Sequence, residues 1–336
     1  MEATQKKRNS QTEGTVLALM AALLWSTNAP LIKSLSLDAT LVAGMRALIA
    51  GVVLLPFLRP KKIKWGLPVV SMMVFFTLQS LFIVVALQKT SAAIAVGMQY
   101  TAPVWLYLIA RLRHEAVSRS HLVSLGVLTV GVAVSMCSRS GEVTLLGNII
   151  ALSTGIWFAL LTLAMQRVGG ENPLGTVSLN NLFMAAVLLC LCAAQGKLGA
   201  LKTMRASEWV IMLILGVFQF GGGYVCYNLC LRKISGTRAA MITPLEMVFG
   251  PLWVAVFLHQ YPDVIGLIGF LIIALGVVIE VVYTHRREKS MLQQMQGYRR
   301  EKQKAMRKRR CMAFLAFVWV RYPHYRSAPR ACAHDT

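Results

Sequence analysis

Acidic residues are scarce in this chain. Its 336 residues include 13 Asp and Glu against 35 Lys and Arg, and only 14% of positions carry charge. A soluble domain carries about 25%, so the polar side chains here cannot cover a water-facing surface. The cysteines are odd in number, seven, and most lie in apolar runs, which excludes a disulfide framework and the ligand spacing of a zinc site. No Asn-x-Ser/Thr glycosylation acceptor occurs. The six histidines fall at the ends of apolar runs or in the C-terminal tail. A phosphate-cradling glycine loop, a nucleophile elbow and paired catalytic groups are all missing, so neither an enzyme nor a cofactor-binding protein is expected. The first apolar run is a full span with no small-residue cleavage site after a short core, so no cleavable leader is expected.

Apolar sequence is abundant instead: 56% of residues are hydrophobic and the mean hydropathy is +0.60. It comes in ten runs, near 15–35, 39–58, 67–87, 91–111, 121–136, 146–166, 176–194, 208–231, 237–258 and 264–283, the fifth of them short. A helix of about 20 residues crosses about 30 Å of hydrocarbon. Strands of a barrel would be shorter and alternating. The expected fold is therefore all-α and integral to a membrane, with ten transmembrane helices.

A repeat organises these runs. Leu87, Lys89, Ser91, Ala95 and Val104 fall on Leu231, Lys233, Ser235, Ala239 and Val248 at one constant offset. Earlier in each half, Gly14, Ala18 and Leu19 precede Trp25, and Gly147, Ala151 and Leu152 precede Trp157 with one residue of slippage. Residues 14–140 and 146–284 thus read as two five-helix repeats. Five is odd, so the second repeat is inverted relative to the first, an arrangement that places binding sites near the bilayer midplane. Thirteen Lys and Arg in the connections on one side against six on the other put both termini, including residues 1–13, in the cytoplasm.

Half of the net charge of +22 belongs to the tail, 285–336, where 14 Lys and Arg face three acidic residues. Basic residues beside Phe314, Phe317 and Trp319 fit an anchor on anionic lipid. An extension with no role is the plain alternative and a nucleic-acid-binding tail a lesser one; no nucleic-acid partner is expected.

Polar groups inside the spans are the informative ones, because an ionisable residue there faces protein or water. Glu246 shares a helix face with Ala239, Thr243 and Gly250, and the matching face of the first repeat carries Ala95, Gln99 and Ala102. These stripes fit a cavity wall, with Glu246 as proton or substrate-charge partner, or a tight helix interface. Asn28, beside Pro30, fits a helix break. Gln79, Gln219, Asn180 and Asn181 lie inside their spans, as do the aromatics Trp25, Tyr100, Trp105, Trp157 and Tyr224. Arg46, inside the second span, either pairs with an anion or snorkels to the surface. Glu280 reads as an interfacial, structural residue. The Gly221-Gly222-Gly223 run permits close packing or a local break.

Trp25, Ser26 and Asn28 in the first span, Arg46 in the second, the Tyr100-Thr101-Ala102-Pro103-Val104 motif leading to Glu115, and the stretch from Pro244 to Trp253 resemble the EamA-type transporters of the drug/metabolite transporter superfamily. The resemblance covers residues 14–284. It implies a secondary transporter, an exporter of small organic metabolites such as amino acids, in the inner (cytoplasmic) membrane. Its candidate substrate residues are Trp25, Asn28, Gln79, Gln99, Tyr100, Trp157, Gln219, Tyr224, Thr243 and Glu246, with Glu246 also the candidate for coupling. Two departures stand out: Glu246 is followed by Met247 where the family often has proline, and Gln260 stands at the span end where an acidic counterpart of Glu115 is expected. A non-transporting membrane scaffold or lipid-interacting protein is the competing reading.

Overall fold

The structure, a computed structural model, describes residues 2–63, 65–90, 92–114, 119–137, 144–168, 172–258 and 264–283, with positions 286, 305, 306 and 312. The expected lipid anchor at 285–336 lies otherwise outside the described residues, as do Glu115 and Gln260. Residues 1–283 form one compact unit.

All regular structure among the described residues is helical. This follows from continuous apolar sequence, since in hydrocarbon each backbone N–H and C=O must find a partner within its own segment. In order come α1 (Glu2–Trp25), α2 (Asn28–Lys33), α3 (Ala39–Leu54), α4 (Leu67–Lys89), α5 (Ala92–Gln99), α6 (Ala102–Leu112) and α7 (Arg119–Met136). The second half has α8 (Leu145–Val168), α9 (Pro173–Ala194), α10 (Ala206–Ile214), a π-helical segment (Leu215–Gly222), α11 (Gly223–Leu231), α12 (Gly236–Ile242), α13 (Glu246–Leu258) and α14 (Val264–Tyr283). Starts are marked by side-chain caps. Asp38 accepts from the Thr40 amide at 2.9 Å, Asn172 from Gly175 at 3.1 Å and Ser235 from Arg238 at 3.3 Å.

Among the described residues, seven helical runs are long and apolar enough to cross a membrane, against the ten expected. The difference has a physical cause. The fifth run gives only the shorter apolar helix His121–Met136. The fourth and ninth are each split in two by a proline. A proline lacks the N–H that closes the helical turn, and its ring clashes with the carbonyl four residues earlier. Pro103 thus separates α5 from α6 at Tyr100–Thr101, and Pro244 sits in the 3₁₀ turn Thr243–Leu245 between α12 and α13. Pro30 likewise breaks the first run at Ser26–Thr27, although that run still counts as one span, Asn9–Ile32.

Packing pairs the two halves. α4 lies along α8, and α11 lies along α1. α3 lies along α9, α5 and α6 contact α8, and α12 and α13 contact α1. Exchanging the repeats turns each of these pairings into another or into itself, as a twofold relation requires. α7 and α14 pair at close range: a Cβ on Gly131 would come 2.7 Å from the Ile273 amide nitrogen, and one on Gly276 3.0 Å from that of Leu128. Small residues let backbones approach this closely. Large apolar side chains such as Phe218, Val256 and Leu271 stay exposed on the outside, a surface suited to lipid and not to water.

Candidate functional site

The breaks meet. Tyr100, at the α5–α6 break, donates its hydroxyl to the carboxylate of Glu246, at the α12–α13 break. The two positions lie 146 residues apart in the chain. The break in the first run joins them: Trp253 of α13 donates from its indole nitrogen to the Ser26 hydroxyl at 2.7 Å. The π-helical segment carries Gln219 and Phe220, which face the same place. Extra residues in a helical turn of this kind often mark functional sites, and the glycines that follow make room. A Cβ on Gly223 would collide with the Trp25 indole.

Between the broken helices lies a cavity lined by Trp25, Asn28, Arg46, Gln79, Ile83, Gln99, Phe158, Gln219, Phe220, Tyr224 and Glu246. Its free volume, about 20 Å3, is room for about one ordered water. One wall is a hydrogen-bond chain. Gln79 donates to Gln99 Oε1 at 2.8 Å, and Gln79 Oε1 accepts from the Tyr224 hydroxyl at 2.8 Å and the Ser80 hydroxyl at 3.2 Å. The other wall is aromatic. Trp25 meets Tyr224, Tyr227 and Phe158 at centroid distances of 5.0, 5.2 and 5.9 Å, and Phe76, Phe220 and Tyr224 pack against one another.

Arg46, 1% exposed, closes the cavity from α3. Its guanidinium donates to Asn28 Oδ1 at 3.0 Å and to the Ser80 carbonyl at 3.1 Å, and lies 4.3 Å from the Phe220 ring centroid. Its Nε has no partner among the described residues, and neither do Trp25 Nε1 and Gln219 Oε1. Arg46 does not snorkel; it is held inward by α2, α4 and the π-helical segment.

Of the ten sequence candidates, Trp25, Asn28, Gln79, Gln99, Gln219, Tyr224 and Glu246 line the cavity. Tyr100 reaches it through Glu246. Trp157 does not; its ring stacks on Phe75 at 6.0 Å, and its neighbour Phe158 turns inward. Thr243 is buried, but its hydroxyl returns to the Ala240 carbonyl of α12 at 3.5 Å. Asn180 and Asn181 are buried in α9 and absent from the cavity lining. Sequence reasoning missed Phe158, yet a signal existed. Counted from the Gly14–Gly147, Ala18–Ala151 and Leu19–Leu152 matches, the partner of Trp25 is Phe158 and not Trp157. One residue along a helix is a rotation of about 100°, enough to exchange the inner face for another.

A second buried carboxylate lies apart from this site. Glu280 of α14, 1% exposed, receives the Ser124 hydroxyl at 2.7 Å and lies 2.8 Å from His121 Nδ1, both of α7. At the surface between spans, Lys197 pairs with Asp38 at 2.9 Å. Partial burial raises the Asp38 pKa, but the Lys197 and Thr40 hydrogen bonds outweigh it and leave the carboxyl below its ordinary value.

No cluster of His, Cys, Asp and Glu suited to a metal ion occurs among the described residues. The profile of the EamA-like transporter family matches residues 12–137 and again 145–282. An uncharacterized transporter of Archaeoglobus fulgidus is 23% identical over 272 residues, 79% of this chain and 95% of the relative. The uncharacterized transporter YvbV of Bacillus subtilis is 23% identical over 295 residues, 81% of this chain and 93% of the relative. The uncharacterized inner membrane transporter YhbE of Escherichia coli K12 is 26% identical over 136 residues, covering 40% and 42%. A solved crystal structure superposes with a TM-score of 0.67 at 19% identity, over 82% of this chain and 99% of that one; at that identity the likeness is one of fold.

Proposed function

The chain belongs to the EamA-like transporter family, and from that premise we propose that it is a secondary transporter that exports small organic metabolites such as amino acids. Membership makes it a multi-pass membrane transporter; the substrate, the direction and the mechanism are our reading. Ten crossings, counting the two broken helices and the short α7, form two inverted repeats, 14–140 and 146–284. Both termini face the cytoplasm, the membrane is the inner (cytoplasmic) one, and the tail at 285–336 contacts anionic lipid.

One observation carries the reading: the helix breaks of the two repeats meet at a buried polar cavity, joined by Tyr100 and Glu246. Broken helices at the repeat interface are where transporters of this architecture hold substrate. Metabolite sites measure about 300–1,000 Å3, far more than the space here, so on this reading the cavity must widen to take substrate. Rocking of one repeat against the other opens the cavity to one side at a time. Trp25, Asn28, Gln79, Gln99, Gln219, Tyr224 and Glu246 contact the substrate, and Arg46 and Phe158 join them. Trp157 and Thr243 support neighbouring helices. Glu246 is the coupling group, faced by Tyr100 and Tyr224 and by Arg46 across the cavity lining.

Purified protein in proteoliposomes, screened with labelled amino acids and small organic cations with and without a pH gradient, tests this. Gradient-dependent flux that disappears in Glu246→Gln supports the carrier and its coupling residue. Flux that persists unchanged in that variant removes the role of Glu246. No flux across the panel from folded protein would leave a scaffold whose repeats only pack.

A further inference from the structure

A second cavity lies apart from the first, where the ends of α6 and α8 meet the start of α12. Its free volume is about 240 Å3, and none of its lining residues lines the central cavity. Arg113, which caps the end of α6, and Arg167, in the last turn of α8, both line it. No acidic residue does. Both arginines are exposed, and among the described residues neither guanidinium has a hydrogen-bond or ion-pair partner. Leu106, Ile109 and Leu163 supply an apolar wall, and Gln166, Ser235 and Thr237 add polar groups.

Two cations lining one cavity without an anion repel each other, and the repeat architecture does not require them. At the offset that sets Leu87 on Leu231, Arg113 falls on Phe257; at the one that sets Gly14 on Gly147, Arg167 falls on Ser34. The pair of arginines thus belongs to one end of the molecule only. The space is not general looseness either. Close by, a Cβ on Gly236 of α12 would lie 2.7 Å from Thr162 Cγ2 and 2.8 Å from Gln166 Oε1, both of α8. A pocket that encloses a whole metabolite measures about 300–1,000 Å3; this one is smaller and suits one end of a longer molecule. Along α6, Leu108 and Leu112 are 43% and 80% exposed, a surface for hydrocarbon chains. A matching ligand has an anionic head and an apolar body.

We propose that this pocket is a lipid site, in which Arg113 and Arg167 hold the phosphate of an anionic phospholipid whose acyl chains run along α6. The proposal goes beyond transport through the central cavity and does not depend on it. Guanidinium groups meet phosphate oxygens with paired N–H donors. Basic pockets between membrane helices at the cytoplasmic face take anionic headgroups, and the orientation proposed above puts these helix ends there. Arg113 comes from the first repeat and Arg167 from the second, so one bound phosphate ties the two repeats together. A choline headgroup would add a positive charge beside the arginines, which selects against it.

The test titrates purified full-length protein in non-ionic detergent with phosphatidylglycerol and reads the thermal midpoint. Phosphatidylcholine with the same chains, sn-glycerol 3-phosphate and inorganic phosphate are the comparisons. Phosphatidylglycerol is expected to raise the midpoint and phosphatidylcholine to leave it in place. In the double variant Arg113→Gln, Arg167→Gln, the lipid needed for half of the shift rises at least about tenfold, the effect of one lost charge-assisted contact. Removing two exposed charges elsewhere, by Arg59→Gln with Lys61→Gln, changes it less than about threefold. That control separates the pocket from the general attraction of a basic protein, tail included, for anionic lipid. Each single arginine variant falls between, and replaces the double one if that does not fold. No stabilisation by phosphatidylglycerol, an unchanged requirement in the arginine variants, an equal loss in the control or equal stabilisation by phosphatidylcholine each overturns the proposal. Stabilisation as strong from glycerol phosphate or inorganic phosphate at millimolar concentration overturns the lipid as ligand and leaves a site for a free phosphate. Binding is read without flux, so failure of the transport reading leaves this result standing.

Discussion

Among the described residues two glutamates are buried, Glu246 and Glu280, and their surroundings differ. Glu280, on α14, faces α7, where the Ser124 hydroxyl donates to one of its oxygens and His121 Nδ1 lies 2.8 Å from the other. Nothing there forms part of the cavity lining. Glu246 sits where the broken helices of both repeats meet, bonded to a tyrosine of the other repeat and facing a cavity. Burial alone therefore does not mark a functional carboxylate. A carboxylate enclosed by its own partners ties two helices together; one left facing a cavity between moving parts can exchange partners during a cycle.

Substitution tests that contrast directly. Glu246→Gln is expected to lower flux by about a hundredfold or more, as loss of a buried charge contact does, with the protein still folded by size-exclusion chromatography. Glu280→Gln is expected to keep flux within about threefold and to lower stability by about 1–3 kcal/mol, read as an earlier thermal midpoint in detergent. Reversal of these two outcomes would break the comparison. Next in size is Gly223→Val, which forces the Trp25 indole out of its place. Overpacking of this kind costs about 1–3 kcal/mol, and flux should fall with stability, whereas Gly199→Val, with open space around it, should change neither.

A further substitution sharpens the role of the breaks. Pro103→Ala restores the missing N–H and lets α5 and α6 join, which moves Tyr100 relative to Glu246. Flux is expected to fall about tenfold while stability holds or rises, since proline inside a helix costs about 3 kcal/mol; unchanged flux would show that the break is dispensable. The smallest effect belongs to the surface pair. Asp38 has its pKa lowered by folding, so its contribution is present at neutral pH and lost as pH falls through the folded value, below about 3.9. With both side chains more than a third exposed, Asp38→Asn should cost under about 1 kcal/mol, less in high salt, with no change in flux.

Much of this architecture was legible beforehand. Run lengths gave the helices, and the offset matches gave the repeat. Pro30, beside Asn28, is legible as a break. Pro103 and Pro244 are not told apart from Pro251 by sequence, because α13 runs on through Pro251 while the other two interrupt their runs, so the fourth and ninth runs look like single spans while only apolarity is counted. Within the site, Gln79 and Tyr224 could be named as polar groups deep in spans, but not as partners. Trp157 and Thr243 were included for their residue type and register, and the helices turned both away.

Sequence by itself determined that the chain is helical and apolar enough to enter a membrane, and that it comes in two related sets. Those properties are read along the chain: they depend on apolar length and on residue matches at a constant offset. Tertiary structure decided which polar side chains meet. Tyr100 finds Glu246, Gln79 finds Gln99 and Tyr224, and Arg46 turns inward because each helix is rotated about its axis by its packed neighbours. In lipid that rotation is set by small-residue contacts and interhelical hydrogen bonds, not by exclusion from water, so no hydrophobic periodicity along a single helix records it.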